Sequence, residues 1–465
     1  MFTQFSSEGS VSTKSIWSLR NVPAWLLGAD VLGLAICLTF AVWLLGEPVD
    51  WLNPILYGFA LLVLVGLYLA DTYKPDSQIA GLRAPARILL CNLVVAAASF
   101  SFIYLSGQRN LLWWTILLPS LLMFTPLVVG LRLVAVVWMR EHVQQSRWLV
   151  LGSDEITVKF TQDFHTSNPL GRLVVLTESE TKNQFTPNNL NVVGSILDLK
   201  SWISQSWSGV LVGNKVKLSN TEVQQLMEAR LQGTPVYKLP DFYENLWYKL
   251  PSSLLQDTWF TFSTGFDLIP GRVSSKLKRV VDIIAAVLMV VLLSPLMLLA
   301  ALLIKLDSPG PVFYSQVRTG LKGKPFKVHK FRSMYQDAEK RGVQWAQKRD
   351  PRITRIGYWL RAMRIDELPQ IWNVLKGEMS LIGPRPERPE FDAKLKQEIP
   401  YYDLRYLVKP GITGWAQVLY PYGASVEDAY EKLSYDIYYI KNYSLLLDIA
   451  IAFKTVRVVL LGKGR

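Results

Sequence analysis

Five apolar runs constrain the fold of this chain more than any other feature of its sequence. Four of them cover residues 25–45, 53–70, 88–105 and 111–137, and the fifth covers residues 280–306. Each approaches or exceeds the length that an α-helix needs to cross a bilayer, roughly 20 residues. Because 50% of all residues are also hydrophobic, the chain is predicted to be an integral membrane protein.

Basic residues predict the orientation of the first four runs, which form a four-helix transmembrane region over residues 23–140. The two loops predicted to face away from the cytoplasm contain only one basic residue between them, Arg109. The other flanks carry Lys14, Arg20, Lys74, Arg83, Arg87, Arg132, Arg140 and Arg147. The positive-inside rule therefore places both ends of the region in the cytoplasm, with residues 1–22 as a cytoplasmic tail and not a cleaved signal. Asp30, inside the first run, is expected to be hydrated or paired with another helix, and a functional role is the alternative.

A Rossmann-like α/β module is predicted over residues 145–240. Strand-like runs alternate there with helix-compatible stretches such as residues 220–231, which indicates a small parallel sheet. The runs cover residues 148–152, 173–176, 191–193, 210–212 and 235–237. The first run ends without the G-x-G-x-x-G pattern that lets a backbone approach a pyrophosphate, so a structural or regulatory role is favoured over dinucleotide binding. Residues 241–275 are predicted to be an aromatic-rich connector against the membrane or the following domain.

The fifth apolar run, residues 280–306, is interrupted near its middle by Ser294 and Pro295. Proline removes a helix hydrogen bond and bends the helix. Basic residues flank both ends of the run, namely Lys276, Lys278, Arg279 and Lys305. The sequence therefore favours a re-entrant helix that enters and leaves the membrane on one side, with a straight span kinked by proline as the alternative.

Two adjacent carboxylates, Asp366 and Glu367, precede Pro369 and follow Arg361 and Arg364. Because the residue before a proline is disfavoured in a helix, one helix is predicted to end near Glu367 and another to open at Pro369. The carboxylates would then lie at a joint near the positive end of the second helix. Taken alone, the pair is more simply interpreted as a surface ion-pair cluster.

Five sequence blocks contain or surround the carboxylates, and together they argue against that simple interpretation. They are KFRSM (330–334), DELPQ (366–370), NVLKG (373–377), GPRP (383–386) and PGITGW (410–415). With these blocks in this order, the chain from about residue 276 to its end resembles the large monotopic phosphoglycosyl transferases, the bacterial sugar transferases that act on polyprenyl phosphate. The hydrophobic first part is similar to the long-form members more loosely.

The resemblance implies a three-part architecture: a membrane helical bundle, the Rossmann-like module and a mainly helical catalytic domain over residues 276–465 with a re-entrant helix and a β-hairpin. It implies transfer of a hexose 1-phosphate from a UDP-sugar to undecaprenyl phosphate, with release of UMP. Asp366 would form a covalent phosphosugar intermediate, and Glu367 would help to hold Mg²⁺ or tune the nucleophile. Arg361 and Arg385 would contact phosphate.

The local sequence pattern makes other basic residues candidates for phosphate binding. A hairpin built from residues 312–316 and 326–331 would present Lys327, Lys330 and Arg332 to phosphate, although a solvated basic hairpin on an anionic membrane would look the same. Arg364 could equally pair with Glu367 on one helix face. PGITGW is interpreted either as a lining of the nucleotide or lipid site or as a structural corner.

Composition limits the partners further. The formal net charge of +13 suits nucleic acid, anionic lipid or an acidic substrate. No nucleic-acid-binding fold is recognisable, so membrane lipids and a pyrophosphate-containing substrate are favoured. Cys37 and Cys91 lie in apolar runs, which predicts no disulfide framework. Residues 435–459 are expected to form an interfacial amphipathic helix, with a packed core helix as the alternative.

The expected location is the bacterial inner membrane with the catalytic domain in the cytoplasm, and the resemblance also implies a homodimer. The hypothesis from another class is a non-catalytic membrane assembly or regulatory protein that retains the transferase fold. The sugar, the polysaccharide pathway and the task of the Rossmann-like module stay open.

Overall fold

The structure is a computed structural model that divides into two compact units, Met1–Lys238 and Leu239–Arg465. It describes residues 14–45, 53–70, 72–73, 83–105, 113–144, 146–167, 171–178, 191–266, 273–336, 350–421, 423 and 425–460. Residues 1–13 of the predicted tail therefore lie outside the described residues. Each unit is taken separately below.

Apolar helices open the first unit, close to the predicted runs. They are α1 (Lys14–Leu45), α2 (Pro54–Leu69), α3 (Arg83–Leu105) and α4 (Leu118–Gln144), the last preceded by a π-helical turn, Trp113–Leu117. By length and composition α1, α3 and α4 contain segments able to cross a membrane, and α2 is a shorter apolar helix. Their facing side chains form one core, whereas many of their other apolar side chains are exposed, as expected of surfaces that face lipid.

A buried ion pair ties α1 to α4. Arg132 Nη2 lies 2.5 Å from Asp30 Oδ2, and both side chains are almost fully buried. The Tyr73 hydroxyl donates to the same carboxylate at 2.7 Å, and Arg132 Nε donates to the Thr72 carbonyl at 3.2 Å. These contacts confirm the expectation of a helix-paired Asp30. A carboxylate buried this deeply needs such partners, because an unpaired charge in the interior is costly.

The first unit also contains the predicted parallel sheet. Its strands are β1 (Arg147–Leu151), β2 (Arg172–Thr177), β3 (Val192–Ser195), β4 (Gly209–Val212) and β5 (Val236–Lys238), in the order β3-β2-β1-β4-β5. Its helices are α5 (Glu155–Ser167), α6 (Leu199–Ile203) and α7 (Asn220–Leu231). The turn after β1 places the Asp154 carboxylate, which accepts a hydrogen bond from Thr157, at the start of α5.

The second unit is mainly helical. Its helices are α8 (Leu239–Trp247), α9 (Asp257–Phe262), α10 (Val273–Asp307), α11 (Arg355–Ala362), α12 (Ile371–Lys376), α13 (Pro389–Glu398), α14 (Trp415–Leu419), α15 (Val426–Lys441) and α16 (Leu445–Leu460). Its strands are β6 (Phe313–Thr319), β7 (Pro325–Phe331), β8 (Ser380–Ile382) and β9 (Gly411–Thr413). Strands β6 and β7 form an antiparallel hairpin, and β8 pairs with β9 in parallel. Within the predicted connector, Leu250 and Leu255 are buried with Leu395 and Tyr402 of the same unit.

Helix α10 continues through Ser294 and Pro295 and does not divide into two helices there. Pro295 has no N–H to offer to the Val291 carbonyl, and the Ser294 hydroxyl donates to that carbonyl instead, at 2.9 Å. The backbone acceptor that proline leaves is thereby satisfied. Both ends of α10 contact the rest of the unit, whereas its middle exposes large apolar side chains such as Leu292 (75% exposed) and Leu298 (73%).

The predicted C-terminal helix is two helices with different surroundings. Residues of α15 such as Leu433 and Ile437 are buried in the core. Helix α16 buries Ile451 but exposes Leu446, Ile449, Phe453 and Val456 along one face. The alternative of a packed core helix is confirmed for α15, and the interfacial helix stays a prediction, which the exposed apolar face of α16 supports.

Candidate active site

The two carboxylates lie on a short 3₁₀ helix, Ile365–Gln370, between α11 and α12. The prediction of a helix that reaches Glu367 and a second one that opens at Pro369 is wrong in detail, because α11 ends at Ala362 and α12 begins at Ile371. Arg364 adopts the left-handed conformation (φ 56°), which terminates α11 and turns the chain. The tighter 3₁₀ helix then accommodates Pro369.

Glu367 is buried and held by three cationic side chains. Arg385 binds it with both guanidinium ends, Nη2 to Oε1 at 2.5 Å and Nη1 to Oε2 at 3.2 Å. Lys330 Nζ donates to Oε1 at 3.2 Å, and Arg364 Nη1 lies 3.5 Å from Oε2. Burial alone would raise the pKa of the Glu367 carboxyl, but the charges of Arg385 and Lys330 hold it well below its usual range. Glu367 is therefore a fixed anion that orders its cationic neighbours.

Asp366 is in a different environment although it is the adjacent residue. Its side chain is also largely buried (9% exposed), yet it makes no hydrogen bond or ion pair within the described part of the chain. Burial, and then the charge of Glu367, raise the pKa of Asp366 to about 6, against the lowering effect of Lys330, Arg361 and Arg385. At neutral pH this gives an ionised carboxylate whose oxygens are unoccupied, as a nucleophile requires.

Both carboxylates line a cavity of about 560 Å³. Its wall is rich in cations, namely Arg318, Lys330, Arg332, Arg352, Arg361, Arg364, Arg385, Arg388, Arg405 and Lys432. Among the described residues four acids also line it, Asp366, Glu367, Glu387 and Asp436. The excess of positive charge favours a ligand with several negative charges, and arginine forks match phosphate oxygens.

The hairpin places two predicted phosphate ligands differently. Lys330, near the end of β7, reaches Glu367. The Arg332 guanidinium donates to the carbonyls of Ser308 (2.6 Å) and Pro309 (2.8 Å), directly after α10, and to the Ile304 carbonyl in its last turn at 3.4 Å. Cations stabilise the carbonyls that a helix end leaves without partners. Arg332 also borders the cavity, so its role as a phosphate ligand stays a prediction beside the structural role that these bonds show.

The GPRP and PGITGW blocks pack against each other through their backbones. Gly383 N donates to the Thr413 carbonyl and Gly411 N donates to the Pro384 carbonyl, both at 2.9 Å. A Cβ atom on Gly411 would overlap the Gly383 nitrogen, so only glycine fits. Of the two interpretations of PGITGW, the contacts support the structural corner, and this corner supports the turn that carries Arg385.

Sequence reasoning missed Arg405 and Asp436. Arg405 Nη2 donates to the Arg385 carbonyl at 2.8 Å and pairs with Asp436 at 3.2 Å, and both side chains are buried. Burial raises the pKa of Asp436 to about 6 although Arg405 lowers it. Neither residue belongs to a block that signals a site, and only their burial beside Arg385 identifies them.

The carboxylates fit a Mg²⁺ ion in part. Magnesium is usually held by one or two carboxylates together with substrate phosphates and water. Asp366 has oxygens to offer, but those of Glu367 are taken by Arg385 and Lys330, so the predicted metal role of Glu367 does not fit. Among the described residues no group of three or more His, Cys, Asp or Glu side chains could hold a metal ion.

Comparisons with known proteins agree with this geometry. Residues 273–462 match the family described as "Bacterial sugar transferase". Over 239 residues the chain is 47% identical to the UDP-N-acetylgalactosamine-undecaprenyl-phosphate N-acetylgalactosaminephosphotransferase of Aeromonas hydrophila, covering 51% of this chain and 55% of that relative. Over 181 residues it is 48% identical to the UDP-glucose:undecaprenyl-phosphate glucose-1-phosphate transferase of Caulobacter vibrioides, covering 38% and 68%.

A third relative is matched along nearly its whole length. Over 195 residues the chain is 45% identical to the exopolysaccharide production protein PSS of Rhizobium leguminosarum bv. phaseoli, covering 40% of this chain and 98% of that protein. By contrast, the alignment spans only about half of the Aeromonas relative (55%). Because the family match includes every residue that lines the cavity, the chain belongs to the bacterial sugar transferase family.

Proposed function

We propose that this protein transfers a sugar 1-phosphate from a UDP-sugar to undecaprenyl phosphate and releases UMP, as the first step in building a surface polysaccharide. The observation that carries the proposal is the Asp366 carboxylate, buried and without a hydrogen bond among the described residues, in a cavity lined by arginines and lysines. The names of the relatives support the class of donor and acceptor. They include both N-acetylgalactosamine and glucose, so the sugar is left to experiment.

Two displacements at phosphorus would complete the reaction. An Asp366 oxygen attacks the phosphorus that carries the sugar, the bond to the bridging oxygen breaks, and that oxygen leaves with UMP. A phosphate oxygen of undecaprenyl phosphate then attacks the same phosphorus, which breaks the acyl phosphate bond and restores the carboxylate. The attacking and leaving groups are both anionic, so neutralisation of charge is the main requirement.

The cationic residues would supply that neutralisation. Arg361, which lowers the pKa of Asp366 by its charge, and Lys330 would contact the phosphates, and Arg385 would do so while it holds Glu367. Mg²⁺, when bound by Asp366 together with pyrophosphate oxygens, would stabilise the negative charge of the leaving group. Glu367 would act through the positions of Arg385 and Lys330 and not by contact with the substrate.

We further propose that α10 is re-entrant and that the catalytic unit faces the cytoplasm of a bacterial inner membrane. Ala286 belongs to one buried cluster with Val328, and Ala300 belongs to another with Phe331. Val328 and Phe331 both lie on β7. In a straight helix the two alanines would be about 21 Å apart, whereas the two β7 positions are about 10 Å apart. Leu368 also packs against both clusters. A bend that brings both halves of α10 to one unit accounts for these contacts. A homodimer remains a proposal that rests on family resemblance.

Release of UMP by purified protein in nanodiscs tests the proposed function. The assay contains Mg²⁺, undecaprenyl phosphate and a panel of UDP-sugars, and it compares the wild type with Asp366→Asn. We expect UMP with one or a few sugars and a fall of roughly 10⁴-fold or more in the variant, because the nucleophile is lost. Burial penalises the ionised form of Asp366, so at neutral pH the variant should unfold no earlier than the wild type.

Three outcomes separate the alternatives. No UMP with any sugar would favour the non-catalytic membrane protein. UMP release that survives Asp366→Asn would keep the transferase and refute the covalent step. Capture of the phosphosugar on Asp366 by mass spectrometry, in protein incubated without undecaprenyl phosphate, would establish the intermediate directly.

A further inference from the structure

Two charged residues near the N-terminus of α10 bind β8, the strand that leads to Arg385. Lys278 and Asp282, one helical turn apart, are each 6% exposed and lie at the N-terminal end of the apolar part of the helix, beside the exposed Val280 and Val281. Lys278 Nζ donates to the Ile382 carbonyl at 3.2 Å and to Asp448 Oδ2 at 2.6 Å. Asp282 accepts from the Ser380 hydroxyl at 2.8 Å. We call Lys278 and Asp282 the α10 clamp.

The clamp holds all of β8. Besides the Ser380 hydroxyl, Asp282 accepts from the Leu381 N–H at 3.3 Å, so the two charged residues bind three successive residues of the strand. On its other side the strand pairs with β9, where Ser380 N donates to the Pro410 carbonyl at 2.9 Å. Strand β8 therefore cannot shift without breaking buried bonds to charged groups, which are the costly ones to lose.

The backbone between β8 and Arg385 has little conformational freedom. Gly383 follows the strand directly and is fixed by its backbone bond to Thr413. Pro384 and Pro386 flank Arg385 and restrict its backbone. The Arg385 carbonyl is held by Arg405 at 2.8 Å, and its guanidinium holds Glu367. A displacement of β8 would be passed on to the guanidinium.

We propose that Lys278 and Asp282 are positioning residues for Arg385, so that the seating of α10 in the membrane and the geometry of the phosphate-binding arginine are set together. Neither residue lines the cavity. They act through β8, and the effect on catalysis rests on the proposed transferase function. The clamp lies at the N-terminal end of the apolar part of α10, so lipid that surrounds this helix would also fix the residues that bind β8.

Asp282→Ala and Ser380→Ala test the clamp in the UMP-release assay. Both remove the bond at 2.8 Å, and Asp282→Asn, which keeps an acceptor for the Leu381 N–H, should recover part of the activity. We expect kcat to fall roughly 10- to 100-fold, as small misplacements of charged groups do, with KM for the UDP-sugar changed less than about threefold. Lys249→Met, which breaks the ion pair of Lys249 with Glu431 in the same unit, is the matched control and should leave kcat unchanged.

A double-mutant cycle distinguishes positioning from general loss of structure. If Asp282 acts through Arg385, then Asp282→Ala should have little further effect in an Arg385→Lys background. Additive losses in the cycle would overturn the proposal.

Hydrogen exchange provides a readout that does not need activity. Amide exchange in residues 380–388 should be faster in Asp282→Ala than in the wild type and in Lys249→Met. Unchanged exchange there would overturn the clamp even if the transferase activity is established. If the wild type released no UMP, the proposed function would fail, while faster exchange would still establish the structural link.

Discussion

At the scale of single residues, the site depends on a contrast between two adjacent acids. Glu367 is bound by Arg385, Lys330 and Arg364, whereas Asp366 has no hydrogen-bonding partner among the described residues. Neighbouring carboxylates that share a site push their pKa values apart, and here the cations favour ionised Glu367. The result is one acid that stays charged and organises the site, and one that lines the cavity without a hydrogen-bonding partner among the described residues.

The pKa of Asp366 leads to a prediction about pH. Because that pKa is raised to about 6, the fraction of ionised nucleophile, and with it kcat/KM, should rise with pH through about 6 and level off above it. Lys330 lowers the pKa of Asp366, so Lys330→Met should move this acid limb to higher pH, in addition to reducing the rate. The measurement is kcat/KM for the UDP-sugar against pH, with Lys249→Met as the control. A limb at the pKa of an ordinary carboxyl would contradict the assignment.

At the scale of elements, the site is assembled from turns and not from long helices. The 3₁₀ helix Ile365–Gln370 carries the acids, the turn after β8 carries Arg385, and the end of β7 carries Lys330. Such short elements have few internal hydrogen bonds, so their positions depend on packing against neighbours. The contact between the GPRP and PGITGW blocks is the clearest case, because glycines there allow backbone to meet backbone.

Gly411→Ala should therefore destabilise the transferase unit. The added Cβ would overlap the Gly383 backbone, which has no flexible side chain to move away. We expect a loss of about 3 kcal/mol, at the upper end for overpacked sites, seen as a lower midpoint in thermal unfolding, together with reduced activity. Gly28→Ala, where nothing lies within 4 Å of the new atom, is the control. Equal unfolding midpoints for the two variants would contradict this prediction, because they would show that the contact between the two blocks accommodates the added Cβ at little cost.

At the scale of the whole molecule, the chain combines an apolar helical bundle, a parallel α/β module and a transferase unit with its own apolar helix. Donor sugars carry charged nucleotides, and a charged group crosses a bilayer only at high cost. The transferase unit should therefore face the side where such donors are made. This requires that α10 does not carry the unit across the membrane.

Cysteine labelling tests this orientation. In a chain with Cys37 and Cys91 replaced by alanine, Ser274→Cys and Lys305→Cys place thiols at the exposed ends of α10. A re-entrant helix predicts that a membrane-impermeant maleimide labels both from the cytoplasmic side. Leu292→Cys, in the middle of α10, should be shielded by lipid from either side. Labelling of the two ends from opposite sides would refute the re-entrant helix.

The broad classes of structure could be predicted because they leave regular patterns. Helices that face lipid need long apolar runs, and strands buried on both faces need short ones, so α1 to α4 and the parallel sheet were predictable, as was α7 with its predicted bounds. Turn geometry was harder to predict. The early end of α11 depends on the left-handed Arg364, a conformation that no pattern around it indicates.

By itself, the sequence determined which chemical groups are present, their order, and the apolar segments that require a membrane. Tertiary structure alone decided which of two adjacent acids is bound by cations and which has no hydrogen-bonding partner among the described residues, and it placed Arg332 against the residues that follow α10 and Arg405 against the Arg385 carbonyl. The physical reason is that the partners and the protonation state of a charged group depend on its burial and on its distances from other groups in the fold. Partners such as Asp282 and Ser380, far apart in sequence, meet only when the chain is folded.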